Sequence, residues 1–324
     1  GLVKPFEERV REAIQRGMID YRPRHRVDQL IVKNGSVIGV EGATLVPSTV
    51  NRGEKSSREE NGSFSFQAEA VIVTSGGIGG NFDLVRKNWP SRLGDPPKRL
   101  ISGVPAHVDG RMLEITEKIG GRIVNKDRMW HYTEGIQNWN PVWPKHGIRI
   151  LPGPSSMWFD AKGQRFPTPN FPGFDTLGTL EAIMKSGYDY SWFILTQKMI
   201  EKEFALSGSE QNPDLTGKSI RQLFKQRLMS GAPGPVQAFM DKGEDFIISH
   251  SLEELVNKMN ELSGDHLLNY EDIRRQITAR DREMDNPFTK DLQIAAMRVA
   301  LNYKGDKLSR IAKPHKILDP KNGP

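Results

Sequence analysis

The chain of 324 residues contains no cysteine. Disulfides, thiolate zinc sites and cysteine nucleophiles are therefore excluded, and a reducing cytoplasm is the expected location. No segment reaches the roughly 18 consecutive apolar residues of a membrane helix, so no transmembrane segment is expected. The opening residues Gly1–Glu8 carry neither a leader pattern nor an initiator methionine, and read as the middle of something longer. A strong excess of one charge is also missing. The 46 Lys and Arg face 40 Asp and Glu, a net charge of +6. The densest basic segments, 22–26 and 304–321, are mixed in composition rather than a basic face, so a nucleic-acid partner is not expected. There is no internal repeat and no low-complexity tract.

What is present is organised around Ala68–Asn81. Val71, Ile72 and Val73 form an unbroken apolar run that suits a strand buried on both faces, spanning Ala70–Thr74. Thr74 and Ser75 then lead into Gly76, Gly77, Gly79 and Gly80, which let backbone turn close to another group. In doubly wound sheets, ligands bind where strands end at their carboxyl side. The residues alone fit either such a ligand turn or an ordinary strand-to-helix turn.

Before it, residues 5–18 read as an amphipathic helix with Phe6, Val10, Ala13 and Ile14 on one face and Gly17 as its stop. Asn34-Gly35 between Arg26–Val32 and Ser36–Val40 is a hairpin signal. Residues 47–63 are a polar loop, and Phe64-Ser65-Phe66 alternates back toward the glycine turn. After it, Asn81 caps a short helix stopped by Pro90. Asp109-Gly110 opens a second helix with Met112, Ile115 and Ile119 on its apolar side, and Arg122–Val124 is extended. Residues 129–144 hold three tryptophans without periodicity, as long functional loops do. Helices are expected over about 177–186, 197–206, 218–229 and 235–241, with a strand over 190–196. Three more follow: one begun by the capping box Ser251-Leu252-Glu253-Glu254, then 270–282 and 290–302.

With these residues in view, the chain resembles the fumarate reductase/succinate dehydrogenase flavoprotein superfamily. Within it, the resemblance is nearest to the FAD-binding dehydrogenases grouped with 3-ketosteroid dehydrogenases. The motifs that carry it are Val71–Asn81, Val108-Asp109-Gly110, Met129-Trp130-His131-Tyr132, Phe159–Phe166 with its Gly163-Gln164-Arg165-Phe166 end, and Ser251–Leu255 followed by Asn286–Asp291. Each is weak alone, and the five stand in the family's order.

The resemblance implies a fold of α/β plus α+β class: a partial Rossmann-like FAD-binding domain with an inserted cap domain. Its parts would be 1–129 for the FAD domain, 130–250 for the cap and 251–324 for a helical return. It implies FAD contact at Val27, Thr74, Ser75, Gly76, Gly77 and Asp109. It implies substrate contact at Trp130 and His131, and acid–base tyrosines at Tyr188 and Tyr190. Ordinary roles stand beside each: a core valine, turn glycines, a helix N-cap at Asp109, a hydrogen-bonded loop histidine, tryptophans that glue two domains and strand-edge tyrosines.

The departures bear on substrate. The family's Gly-x-Gly-x-x-Gly phosphate grip has no counterpart upstream of Phe6, and its closing flavin segment has none downstream. The Arg-Asp pair of fumarate reductases is replaced by Pro172–Thr179, and the Thr-Glu-x-x-Arg relay by Leu151–Ser156. A dicarboxylate needs bidentate cations. The expectation is therefore a flavin-dependent dehydrogenase, or the reverse ene-reductase, acting on CH–CH groups of an apolar, ketosteroid-like substrate with an unidentified electron acceptor. The alternative is a non-catalytic binding or scaffold fragment.

Overall fold

The computed structural model describes residues 3–50, 55–208, 211, 219, 221, 230–302 and 314–323. The elements run α1 (Lys4–Gln15), β1 (His25–Lys33), β2 (Ser36–Leu45), β3 (Glu60–Gln67), α2 (Phe82–Lys87), α3 (Arg111–Lys118), β4 (Gly135–Gln137), β5 (Gly147–Leu151) and β6 (Met157–Asp160). They continue as α4 (Thr176–Lys185), β7 (Ser191–Ile194), α5 (Gln197–Lys202), β8 (Ala205–Leu206), α6 (Gly234–Lys242), α7 (Leu252–Ser263), α8 (Tyr270–Glu283) and α9 (Leu292–Ala300). This is a mixed helix and sheet chain in which every strand pairing among the described residues is antiparallel. No helix among the described residues is long and apolar enough to cross a membrane. The helix expected over 218–229 lies almost wholly outside the described residues.

Two compact units share the chain. The first takes residues 1–77 and 110–124. Its sheet has the order β1-β2-β3. The Asn34-Gly35 hairpin forms as expected, because both residues adopt positive φ, 51° and 77°, as a tight turn between twisted strands requires. Gly42 is obligatory in β2, since a Cβ there would lie 1.9 Å from the Arg26 carbonyl oxygen. Helix α3 packs on β1 and buries Ile115. Gly110, at φ 78°, is its N-cap, so Asp109 does not cap this helix.

One expectation fails in this unit. Residues 68–77 form no strand, and Ile72 is 87% exposed. A strand buried on both faces exists only when neighbouring strands pair with its edges and layers cover its faces, and no described residue does so for 70–74. Helix α1 forms where expected but buries nothing. Phe6 and Val10 are exposed, and Ala13 and Ile14 are half-buried.

The second unit takes residues 78–109 and 125–324. Sheet order β4-β5-β8 and the pair β6-β7 sit among helices α4 to α9. One core joins Met157, Phe159 and Ile194 from β6 and β7 to Val256, Ile273 and Ile277 from α7 and α8. A second joins Ile136, Ile148 and Ile150 from β4 and β5 to Phe204 and to Val236 and Phe239 of α6. The run expected to be helical through 206 breaks at Glu203, because Ala205-Leu206 pairs with Ile150-Leu151 instead. The Ser251 cap forms as expected, its hydroxyl accepting from the Glu254 amide at 3.1 Å.

Candidate functional site

In the first unit, Thr74–Gly77 is irregular, exposed backbone. Gly76 has φ +92°, and a Cβ built on Gly77 would meet nothing within 4 Å. There is room at Gly77 for a flat group to lie against the chain. That geometry fits contact with one face of a flavin nucleotide.

Val27 is half-buried on β1, where it pairs with Gly42 next to a register shift between Val27 and Gln29. The residue in that shift, Asp28, forms ion pairs with Arg26 at 2.8 Å and Arg111 at 2.6 Å. Its hydrogen bond to Arg26, with help from the Arg111 charge, holds the carboxyl below its ordinary range despite partial burial. Arg26 also pairs with Glu60. No sequence signal pointed to this charge network, because a β-bulge is a property of the strand pairing.

In the second unit, the later glycines of the turn have a tethering role. The Gly80 amide donates to the Val108 carbonyl at 2.7 Å, and a Cβ on Gly80 would lie 2.7 Å from the Pro105 carbonyl oxygen. Asn81 caps α2 through its Oδ1, accepting from the Leu84 amide at 3.1 Å, while its Nδ2 donates to the Asp109 carbonyl at 3.2 Å. Ser102 adds a bond to the Gly79 carbonyl at 2.8 Å. The spacing from Gly79 to Asn81 is thus what fixes the main chain at Asp109.

His131 packs against Trp89, ring centroids 5.0 Å apart, and its Nε2 has no hydrogen-bond partner among the described residues. Burial, with the charge of Arg92, pushes its pKa down, so the ring is held neutral. Trp130 is 86% exposed and sits 6.0 Å from the Tyr132 ring. Two residues here were missed in the sequence. Arg149 lies 4.1 Å over Tyr132, and its Nε is 3.6 Å from Oε2 of buried Glu134. Their signal was the alternation Ile148-Arg149-Ile150 on β5, which sets Arg149 on the face opposite the core. Trp143 acts as glue: it stacks on His146 at 3.7 Å and donates to the Ser102 carbonyl at 3.0 Å.

Tyr188 and Tyr190 form a separate cluster, their rings 6.0 Å apart and edge-on. The Tyr190 hydroxyl donates to Asp265 at 2.7 Å, and Arg99 lies 4.8 Å over its ring while pairing with Asp189 at 2.8 Å. Burial and the Asp265 hydrogen bond push Tyr190 up to about 12. At neutral pH the phenol is therefore neutral. Lys162 lies 5.5 Å over the Tyr188 ring. Val27 and Thr74–Gly77 therefore fall in one unit, and Asp109, Trp130, His131, Tyr188 and Tyr190 in the other.

Comparison with known proteins gives a consistent result. The model of a family described as FAD binding domain matches residues 1–314. A KsdD-like steroid dehydrogenase of Mycobacterium tuberculosis is 59% identical over 315 residues, which is 97% of this chain and 56% of that protein. A KsdD-like steroid dehydrogenase of Mycolicibacterium smegmatis is 58% identical over 323 residues, 100% of this chain and 58% of that protein. The chain thus spans little more than half the length of these relatives.

Proposed function

The chain belongs to the FAD binding domain family, with FAD as its cofactor, and on that premise we propose that it works as part of a flavin-dependent dehydrogenase. Its reaction would remove hydrogen from adjacent carbons of an apolar, ketosteroid-like substrate, or run the reverse ene-reduction. The observation that carries this is the identity of 58–59% with proteins named steroid dehydrogenases along nearly the whole chain.

FAD, when bound, supplies a hydride acceptor for the carbon–hydrogen bond that breaks. The open backbone of Thr74–Gly77, with Val27, is assigned to contact with it in the first unit, and the assignment of Asp109, in the second unit, rests on the family resemblance alone. The finer architecture follows the family pattern: a Rossmann-like part over 1–129, a cap over 130–250 and a helical return over 251–324. The exposed indole of Trp130 supplies apolar contact area for a bulky substrate. Neutral His131 can donate one hydrogen bond to a carbonyl oxygen as charge develops there. Tyr190 is held as a neutral phenol by Asp265 and so suits the acid rather than the base. Tyr188, at its edge, is the base candidate. Electrons leave to a separate acceptor. A cytoplasmic setting accords with the lack of cysteine.

The test is anaerobic addition of a 3-ketosteroid to the FAD-loaded protein, followed by flavin absorbance. Bleaching of the oxidised flavin band is expected. An unchanged spectrum with saturating steroid would favour the scaffold alternative.

A further inference from the structure

Three asparagines of the chain are followed by glycine: Asn34, Asn61 and Asn322. At each, a side-chain carboxamide stands next to a backbone N–H that no Cβ shields. That pairing permits a covalent step without enzyme or cofactor, because the chain itself holds nucleophile and carbonyl together. Asn34-Gly35-Ser36 and Asn61-Gly62-Ser63 are identical, so the fold must tell these two apart.

Asn34 and Gly35 form the tip of the β1–β2 hairpin, beyond its last pair, Lys33 and Ser36. All four residues are exposed. A Cβ built on Gly35 would meet nothing within 4 Å, so the tip can rotate without displacing a neighbour. Asn34 also sits at φ 51°, a conformation that an asparagine gives up at little cost. The other two pairs are held. Asn61 is the extra residue of a bulge on β3, where Leu45 pairs with Glu60 and Thr44 with Gly62. Gly62 therefore stands in the ladder, and a Cβ on it would lie 2.8 Å from the Thr44 hydroxyl oxygen. Turning the Asn61–Gly62 peptide would break strand pairing. Asn322 is 6% exposed. Its Oδ1 accepts from the Lys198 Nζ at 3.2 Å, and its Nδ2 donates to the Lys316 carbonyl at 2.7 Å. Its carboxamide cannot swing toward Gly323 without losing both bonds.

We propose that Asn34 is a self-modification site: it deamidates in the folded chain, whereas Asn61 and Asn322 keep their amides. A bond forms between the Gly35 nitrogen and the Asn34 carboxamide carbon. The bond from that carbon to Nδ2 breaks, and ammonia leaves with the proton that the Gly35 nitrogen gives up. Water then opens the cyclic imide, and nothing is oxidised or reduced. Addition at the side-chain carbonyl leaves aspartate, and addition at the main-chain carbonyl leaves isoaspartate. Either product carries one more negative charge. Aspartate keeps the turn, since it too tolerates the left-handed region. Isoaspartate lengthens the main chain inside a two-residue turn and loosens the Lys33–Ser36 end of the hairpin. The site does not depend on the flavin reading.

The test is incubation of the whole chain at mildly alkaline pH, folded and in urea, followed by proteolysis and mass spectrometry of the three peptides. In the folded chain Asn34 is expected to convert at least about tenfold faster than Asn61 or Asn322, a barrier difference of about 1.4 kcal/mol. In urea the rates at Asn34 and Asn61 are expected to converge. Ion exchange of the folded chain should show an acidic form growing in, and Asn34→Asp should elute with it and gain none of its own. Equal folded rates, or no conversion at Asn34, would overturn the proposal. A gap between Asn34 and Asn61 that persists in urea would also overturn it, because the cause would then be the preceding Lys33 and Glu60 rather than the fold. Should Asn34→Asp fail to fold, the peptide rates of the unsubstituted chain decide.

Discussion

Glu203 and Arg280 sit in helical stretches whose sequence reads as solvated surface, yet both are buried. Charged residues on amphipathic helices are exposed by default, and burial is set by neighbours far along the chain. Arg280 meets Ser155, 125 residues away, so local sequence carries no trace of the contact. The candidate tyrosines were legible as residues, but the hydrogen bond from the Tyr190 hydroxyl to Asp265 was not. Stability should register Glu203 directly. Its carboxyl, raised from an ordinary 4.5 to about 7, binds a proton more tightly folded than unfolded. Folding stability is therefore expected to fall as pH rises from about 4.5 to about 7, by on the order of 3 kcal/mol, and to be independent of this group below 4.5, where both states are protonated. Urea titrations across this range should show the slope in the unsubstituted chain and a flatter one in Glu203→Gln. A slope of the same size in both would remove Glu203 as its source.

At the scale of elements, turns and caps were the readable part. Asn34-Gly35, Asn81 and Ser251 each act through their own side chain or φ, within a few residues. The expected strand at 70–74 was not realised, because strand pairing needs partners that a local pattern cannot name. The glycine turn divides by function. Gly77 faces open space, whereas Gly80 is locked between the Pro105 and Val108 carbonyls. Gly80→Ala must displace that backbone and is expected to cost about 1–3 kcal/mol, measured by urea denaturation. Gly77→Ala meets no neighbour and should cost much less. Equal losses at both positions would contradict the division.

For the whole molecule, the family was legible because its motifs stand in order along the chain, from Val71–Asn81 to Asn286–Asp291. The cofactor followed from the family, and the match over residues 1–314 bears it out. The architecture was legible only coarsely, as a mixed helix and sheet chain with small antiparallel sheets. Equilibrium dialysis of the 324-residue chain against FAD tests the central claim most directly. Saturable binding of one FAD per chain is expected. Retention that does not saturate, at any concentration reached, would contradict it.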